Sequence, residues 1–153
     1  MATLIQIDAP ERVLSGFKLE KTVKLMKLSF SRILLMHPEI DVTVDQWVIL
    51  HFLYLHKTLS QQELGDLALK DAPTITRMLD LMEAKALVSR KADKEDKRKF
   101  KIMITSEGKE NHNKIQPLVD AFRSEAYAGL SDDQLNILEI ALDTIFTNLS
   151  KSN

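Results

Sequence analysis

The residues best equipped for chemistry form one run. From Lys85 to Lys101 the sequence carries eight basic residues (Lys85, Arg90, Lys91, Lys94, Lys97, Arg98, Lys99 and Lys101) against three acids (Asp93, Glu95 and Asp96), a balance of +5. From Ser106 to the end, four basic residues face eight acids, a balance of −4. The net charge of −1 hides this asymmetry. It fits a protein that offers one basic face to an anionic partner. It fits a solvated lysine-rich hairpin as well. Other chemistry is thinly supplied. There is no cysteine, so disulfides, thiolate zinc sites and thiol redox sensing are excluded. No nucleophile elbow, P-loop, glycine-rich dinucleotide turn or paired-ligand metal motif is present, and four glycines leave little material for a phosphate cradle. Among His37, His51, His56 and His112, the pair His51 and His56 is five apart and shares no helical face. The sequence therefore reads as that of a non-enzyme, with neither metal nor cofactor expected.

The elements that must position the basic run are mostly helical. Phe17 to Met36 places Val23, Met26, Phe30, Ile33 and Leu34 between lysines, an amphipathic helix that His37-Pro38 ends. Thr43 with Gln46, Ser60 with Glu63, and Ser131 with Gln134 are capping boxes, each opening a helix. Asp71 caps a further helix, with Pro73 in its first turn and Ile75, Met78, Leu79 and Met82 as its apolar face. Leu87–Ala92 and Phe100–Ile104 read as strands flanking the charged segment. Thr105 caps the helix that follows, through Ile115, Leu118 and Phe122. The order is helix, helix, short helix, helix, strand, charged hairpin, strand, long helix, helix. That is a mostly α chain with a small β-hairpin, a winged helix-turn-helix with flanking helices. The first and last helices carry apolar stripes that a small winged domain cannot cover, so a homodimer is expected. No run approaches the length of a membrane span, and Met1–Pro10 has no signal-peptide pattern. A cytoplasmic protein with no membrane partner is the expectation.

From Thr43 to Gly108 the chain resembles the MarR family of transcriptional regulators. The resemblance rests on Gln46-Trp47-Val48-Ile49-Leu50, Leu59-Ser60-Gln61-Gln62-Glu63-Leu64, Pro73 to Asp80, Glu83 to Arg90, Asp93, Asp96-Lys97-Arg98, and Ile104-Thr105-Ser106-Glu107-Gly108. It implies three parts: 1–40, an N-terminal segment and first dimerisation helix; 41–105, the winged DNA-binding domain; and 106–153, the C-terminal dimerisation helices. It implies a sequence-specific regulator binding an inverted-repeat operator in double-stranded DNA, a repressor relieved by a small-molecule effector. The competing reading is a winged-helix adaptor that binds protein and not DNA; the arginine-bearing wing speaks against it. Three positions depart from the family's habit. Gly65 stands for alanine and weakens its helix by up to ~1 kcal/mol. Ala86 stands for glycine, without the easy left-handed helix end. Ile104 stands for leucine.

On this reading Asp71–Ala84 is the recognition helix. Thr74, Thr76 and Arg77 lie near its N-terminal end, where arginine can read guanine and threonine can meet thymine methyls or phosphates. First-turn filling for the threonines, and an ion pair of Arg77 with Asp93 or Asp96, are the plainer alternatives. In the wing, the planar Arg98 guanidinium suits a narrow minor groove. Lys94, Lys97 and Lys99 suit phosphates. The family's Asp-x-Arg pattern implies that Asp96 orients Arg98, with Asp93 beside it. Ser60, Gln61 and Gln62 can bond the DNA backbone or serve in capping. The resemblance also implies an effector pocket near Met26, Phe30, Trp47, His51 and Tyr54, residues that ordinary core packing would equally explain.

Overall fold

The structure, a computed structural model, describes residues 11–96 and 98–151, with side chains from Gly16 onward. The chain divides into two compact units, one ending at Val119 and one beginning at Asp120. The first holds α1 (Glu11–Leu35), α2 (Val44–His56), β1 (Thr58–Ser60), α3 (Gln61–Ala68), α4 (Ala72–Ala84), β2 (Val88–Ala92), β3 (Phe100–Ile104) and most of α5 (Ser106–Ala126). The second holds the end of α5 and α6 (Asp132–Ser150).

Local sequence decides where the helices begin. The Thr43 and Gln46 side chains exchange bonds with each other's backbone N–H, as do Ser60 with Glu63 and Ser131 with Gln134. Each pair satisfies two amides that a helix start leaves orphaned. Asp71 accepts from the Thr74 N–H at 2.8 Å, and the Thr105 hydroxyl accepts from the Gly108 N–H at 3.0 Å. The first helix starts six residues earlier than its apolar pattern predicts, at Glu11. A strand that the sequence reading omits, β1, joins the hairpin. The sheet order is β1-β3-β2, all antiparallel, with Leu59 opposite Ile102 and Arg90 opposite Ile102 from the other side.

The core lies under this sheet. Ile49, Leu50 and Leu53 of α2, Leu64 of α3, Ile75, Leu79 and Met82 of α4, Ile102 of β3 and Ile115 of α5 are essentially inaccessible to solvent. Val48 and Phe52 of α2 are only half-buried, and Phe100 is exposed at the outer end of β3. In α6 no residue is buried, and Ile137, Ile140 and Leu149 are each about two-thirds exposed. Phe17, Val23, Leu25 and Leu28 of α1 are exposed as well.

The ends of α3 and α4 depart from the sequence reading. Ala86 adopts the left-handed conformation (φ 56°) although it lacks the freedom of a glycine. Its N–H bonds the Glu83 carbonyl, and the Leu87 N–H bonds the Met82 carbonyl, both at 2.9 Å. That is a Schellman ending, with buried Met82 and Leu87 as its apolar pair. Helix α3 ends in the same way through Leu69 (φ 51°), with the Lys70 N–H on the Gly65 carbonyl at 2.9 Å. Gly65 is no mere weak point there. A Cβ on it would lie 3.1 Å from the Lys70 carbonyl oxygen, so alanine would force this turn outward by a few tenths of an ångström.

One contact admits no side chain. A Cβ on Gly108 would lie 2.1 Å from the Leu87 carbonyl oxygen and 2.8 Å from Ile104 Cγ1. Beside it the Thr105 hydroxyl donates to the Ala86 and Leu87 carbonyls, and the Thr105 N–H also meets the Leu87 carbonyl, at 3.2 Å. Gly108→Ala should therefore destabilise by about 3 kcal/mol, the upper range for overpacking. Ala86→Gly should do the reverse. Relief of a left-handed alanine is worth roughly 1–2 kcal/mol and the added chain entropy costs about 0.5–1, a net gain of about 0.5–1 kcal/mol. Urea unfolding of the two variants beside wild type checks both signs.

Candidate nucleic-acid interface

Helix α4, the expected recognition helix, begins from a fixed start. The Asp71 carboxylate caps the helix by accepting from the Thr74 N–H; hydrogen bonding to the Thr74 side chain first, and to its N–H, lowers the Asp71 carboxyl below its ordinary pKa, and Thr74 and Arg77 are exposed. Neither Asp93 nor Asp96 bonds Arg77; among the described residues it makes no ion pair. Thr76 is half-buried and doubly engaged. Its hydroxyl donates to the Ala72 carbonyl at 2.8 Å and accepts from Gln61 Nε2 at 2.5 Å, which ties α3 to α4. Ser60 spends its hydroxyl on the cap of α3, while Gln62 is exposed.

The wing is built around Asp93. Its carboxylate accepts from the Glu95 N–H at 2.8 Å and the Asp96 N–H at 3.4 Å, and Lys101 Nζ stands 3.5 Å away. These donors, the Glu95 amide first, hold its pKa below the usual carboxylate range. Asp93 and Lys99 close the loop backbone to backbone at 2.9 Å. Asp96 orients Arg98 differently from expectation. It accepts from the Arg98 backbone N–H at 3.0 Å rather than from the guanidinium, which stays exposed. Lys94 and Lys99 are exposed too; Lys97 lies outside the described residues.

The basic run is less uniform than its count implies. Lys85 pairs with Asp41 at 2.8 Å, and Lys101 faces Asp93. Arg90 is turned inward, its side chain 18% exposed, and bonds Asp80, Glu83 and the Thr76 carbonyl of α4. Sequence reading missed this residue by counting it with the run. The available signal was Asp80 and Glu83 themselves, two acids on a helix meant to face an anion. Lys91, Lys94, Arg98 and Lys99 carry no ion pair among the described residues. Between wing and helices lies an open cleft of about 1,100 Å³, lined among others by Gln61, Gln62, Thr76, Arg98 and Lys99.

The expected effector residues gather elsewhere. Trp47 is stacked with His51 (centroids 5.2 Å apart) and meets Phe30 edge-on at 6.3 Å. Tyr54 stacks on His112 at 4.1 Å, and His51 Nδ1 lies 3.1 Å from His112 Nε2. Met26 is half-buried on α1. His112 was not among the expected residues, yet it joins the stack from α5. Phe30 and Trp47 are buried, as core residues are, and the buried Trp47 Nε1 has no hydrogen-bond partner among the described residues. No helix of the described residues is long and apolar enough to cross a membrane.

Comparison with known proteins places the chain. The MarR family model matches residues 40–99. The chain is 30% identical over 118 residues to the organic hydroperoxide resistance transcriptional regulator of Bacillus subtilis, covering 75% of this chain and 77% of that one. It is 28% identical over 111 residues to the HTH-type transcriptional repressor IacR of Pseudomonas putida, covering 72% and 66%. Among solved structures, a mutant MarR from E. coli complexed with operator DNA has a TM-score of 0.79 at 22% identity, covering 88% of this chain and 95% of that one. The S. aureus MepR–DNA complex has a TM-score of 0.79 at 21% identity, covering 87% and 96%. These structural likenesses establish the winged fold.

The histidine pair gives a pH prediction. Burial lowers the pKa of His112, with the Asn113 side chain acting weakly in the other direction. Between that lowered value and the unfolded value near 6.5 the unfolded chain holds more protons. Stability is therefore full above about pH 6.5 and falls as pH drops toward the folded pKa, by no more than ~1.4 kcal/mol per pH unit. The lowered carboxylates of Asp71 and Asp93 act only at more acid pH. Urea unfolding from pH 8 to 5.5 should show this fall in wild type and a flatter profile in His112→Gln.

Proposed function

The chain belongs to the MarR family of transcriptional regulators, and from that premise we propose that it binds an inverted-repeat operator in double-stranded DNA as a homodimer, as a cytoplasmic repressor relieved by a small-molecule effector. The observation that carries this reading is the sorting of the wing's cations. Arg90, Lys85 and Lys101 are held by carboxylates of the protein, and among the described residues Lys91, Lys94, Arg98 and Lys99 are not. Unpaired cations beside an open cleft at the recognition helix are what phosphate contacts require.

In this assignment residues 41–105 are the DNA-binding domain. Residues 1–40 and 106–153 supply the dimerisation helices, whose support is the exposed apolar surface of α1 and α6. Arg98 enters the minor groove, Lys94, Lys97 and Lys99 meet phosphates, and Asp93 and Asp96 shape the loop that carries them. Thr74 and Arg77 read bases. Gln62 reaches the backbone, whereas Ser60 acts chiefly as the cap of α3, and Gln61 and Thr76 act chiefly by fixing α3 against α4. The effector site lies at Met26, Phe30, Trp47, His51 and Tyr54. An acceptor on a bound effector would satisfy the Trp47 indole N–H. The relatives' names, a resistance regulator and a repressor, agree with this role.

Selection of bound sequences from a random DNA pool tests the reading. The selected duplex should be an inverted repeat with half-sites about one helical turn, ~34–36 Å, apart. A pool that yields no enriched sequence, from a protein that also passes through heparin at low salt, would favour the adaptor reading. On the selected duplex, Arg77→Ala should cost about 1–3 kcal/mol and relax selectivity at one position per half-site. Arg98→Ala should weaken binding most where the flanking minor groove is narrow and A·T-rich. Competition binding over operator variants separates the two. Equal loss on all sequences for Arg77→Ala would remove it from base reading.

A further inference from the structure

Arg90 projects from β2 onto one stripe of α4. Nη1 lies 2.5 Å from Asp80 Oδ1 and 3.2 Å from Glu83 Oε2, and Nη2 donates to the Thr76 carbonyl at 3.3 Å. Positions 76, 80 and 83 are four and three apart, so a single fork can engage all three. Thr76 is itself bonded through its hydroxyl to Gln61 of α3. The guanidinium is thus spent on the recognition helix. Two carboxylates surround one cation, so the group adds no positive charge toward an anion.

We propose that Arg90 is a positioning residue for DNA recognition: it locks the wing to the recognition helix through Thr76, Asp80 and Glu83 and makes no phosphate contact of its own. The proposal rests on the DNA-binding reading above. Its logic is geometric. The chain passes from α4 to β2 through Lys85, Ala86 and Leu87, and the base of the hairpin is held by β1 pairing with β3 and by Thr105 on the Ala86 and Leu87 carbonyls. None of these ties reaches the outward face of α4. Arg90, two residues into β2, adds a direct side-chain attachment from the strand to that helix. With these ties in place, Arg98 at the wing tip keeps a fixed distance from Thr74 and Arg77, and phosphate contacts and base contacts can be made together. Lysine would not serve equally, because a point charge cannot hold two carboxylates and a carbonyl in one plane.

Charge and positioning predict opposite signs for one variant. Asp80 and Glu83 are roughly half-exposed acids on a helix that faces DNA. If charge alone governed binding, Asp80→Asn/Glu83→Gln would bind DNA more tightly. The clamp requires weaker binding, roughly tenfold, the equivalent of one charge-assisted hydrogen bond, with the salt dependence unchanged. Arg90→Met should lose a similar factor, and the triple variant no more than either. The four proteins are compared by fluorescence anisotropy on a labelled duplex carrying the selected inverted repeat, at low and high salt. Tighter or unchanged binding by Asp80→Asn/Glu83→Gln overturns the proposal. So does a fall of about two units in the salt slope of an Arg90→Met dimer, which would mark a lost phosphate contact in each protomer. A wild type that binds no DNA overturns the DNA reading and with it the purpose assigned to the clamp. The clamp is then judged by itself from urea unfolding of the same four proteins: non-additive losses sustain it and additive losses overturn it.

Discussion

The carbonyl oxygen of Leu87 faces a space that a methyl group cannot enter. Gly108 leaves it open, Thr105 fills its edge with an N–H and a hydroxyl, and the result is a junction of three elements. Helix α4 ends there, β2 begins there, and α5 starts one residue after Thr105. Because all three are fixed at one point, the direction of α4, the root of the wing and the start of α5 are a single constraint. The left-handed Ala86 follows from it. Its carbonyl is held by the Thr105 hydroxyl, and buried Met82 and Leu87 close the helix end, so tertiary contacts sustain a conformation that alanine alone disfavours.

Electrostatics then divides the basic residues by task. Cations near the junction are internal ties: Lys85 to Asp41, and Arg90 to Asp80 and Glu83. Cations farther out on the hairpin are exposed, and Asp93 and Asp96 among them are spent on backbone amides that shape the loop. An exposed ion pair contributes little stability in water, but Arg90 is largely shielded and its fork has three acceptors, which raises the value of that tie. On the function proposed here, the same sequence run supplies both the frame of the wing and its working surface.

Much of this was legible where the cause is local. The three capping boxes, the Asp71 cap and the span of β3 follow from residues a few positions apart. What escaped has non-local causes. Strand β1 is three residues long and exists because β3 offers it an edge. Arg90 is invisible as a clamp until β2 is laid beside α4. Asp96 was expected to hold the Arg98 side chain, yet an aspartate reaches the backbone N–H two residues on most readily, a turn habit that the Asp-x-Arg spacing already carried. His112 entered the aromatic stack because α5 returns past α2, sixty-one residues from its partner His51.

The central claim is that the exposed wing cations supply the electrostatic part of DNA binding while the paired ones do not. The salt dependence of wild-type binding to the selected duplex measures this directly. Four cations per protomer, Lys91, Lys94, Arg98 and Lys99, carry no ion pair among the described residues, and Lys97 adds a fifth from the sequence. A dimer placing about three of these per protomer on phosphates should show log K falling against log [salt] with a slope of about −5, at roughly 0.9 per contact. A slope near zero would contradict the account, because binding would then owe nothing to those cations.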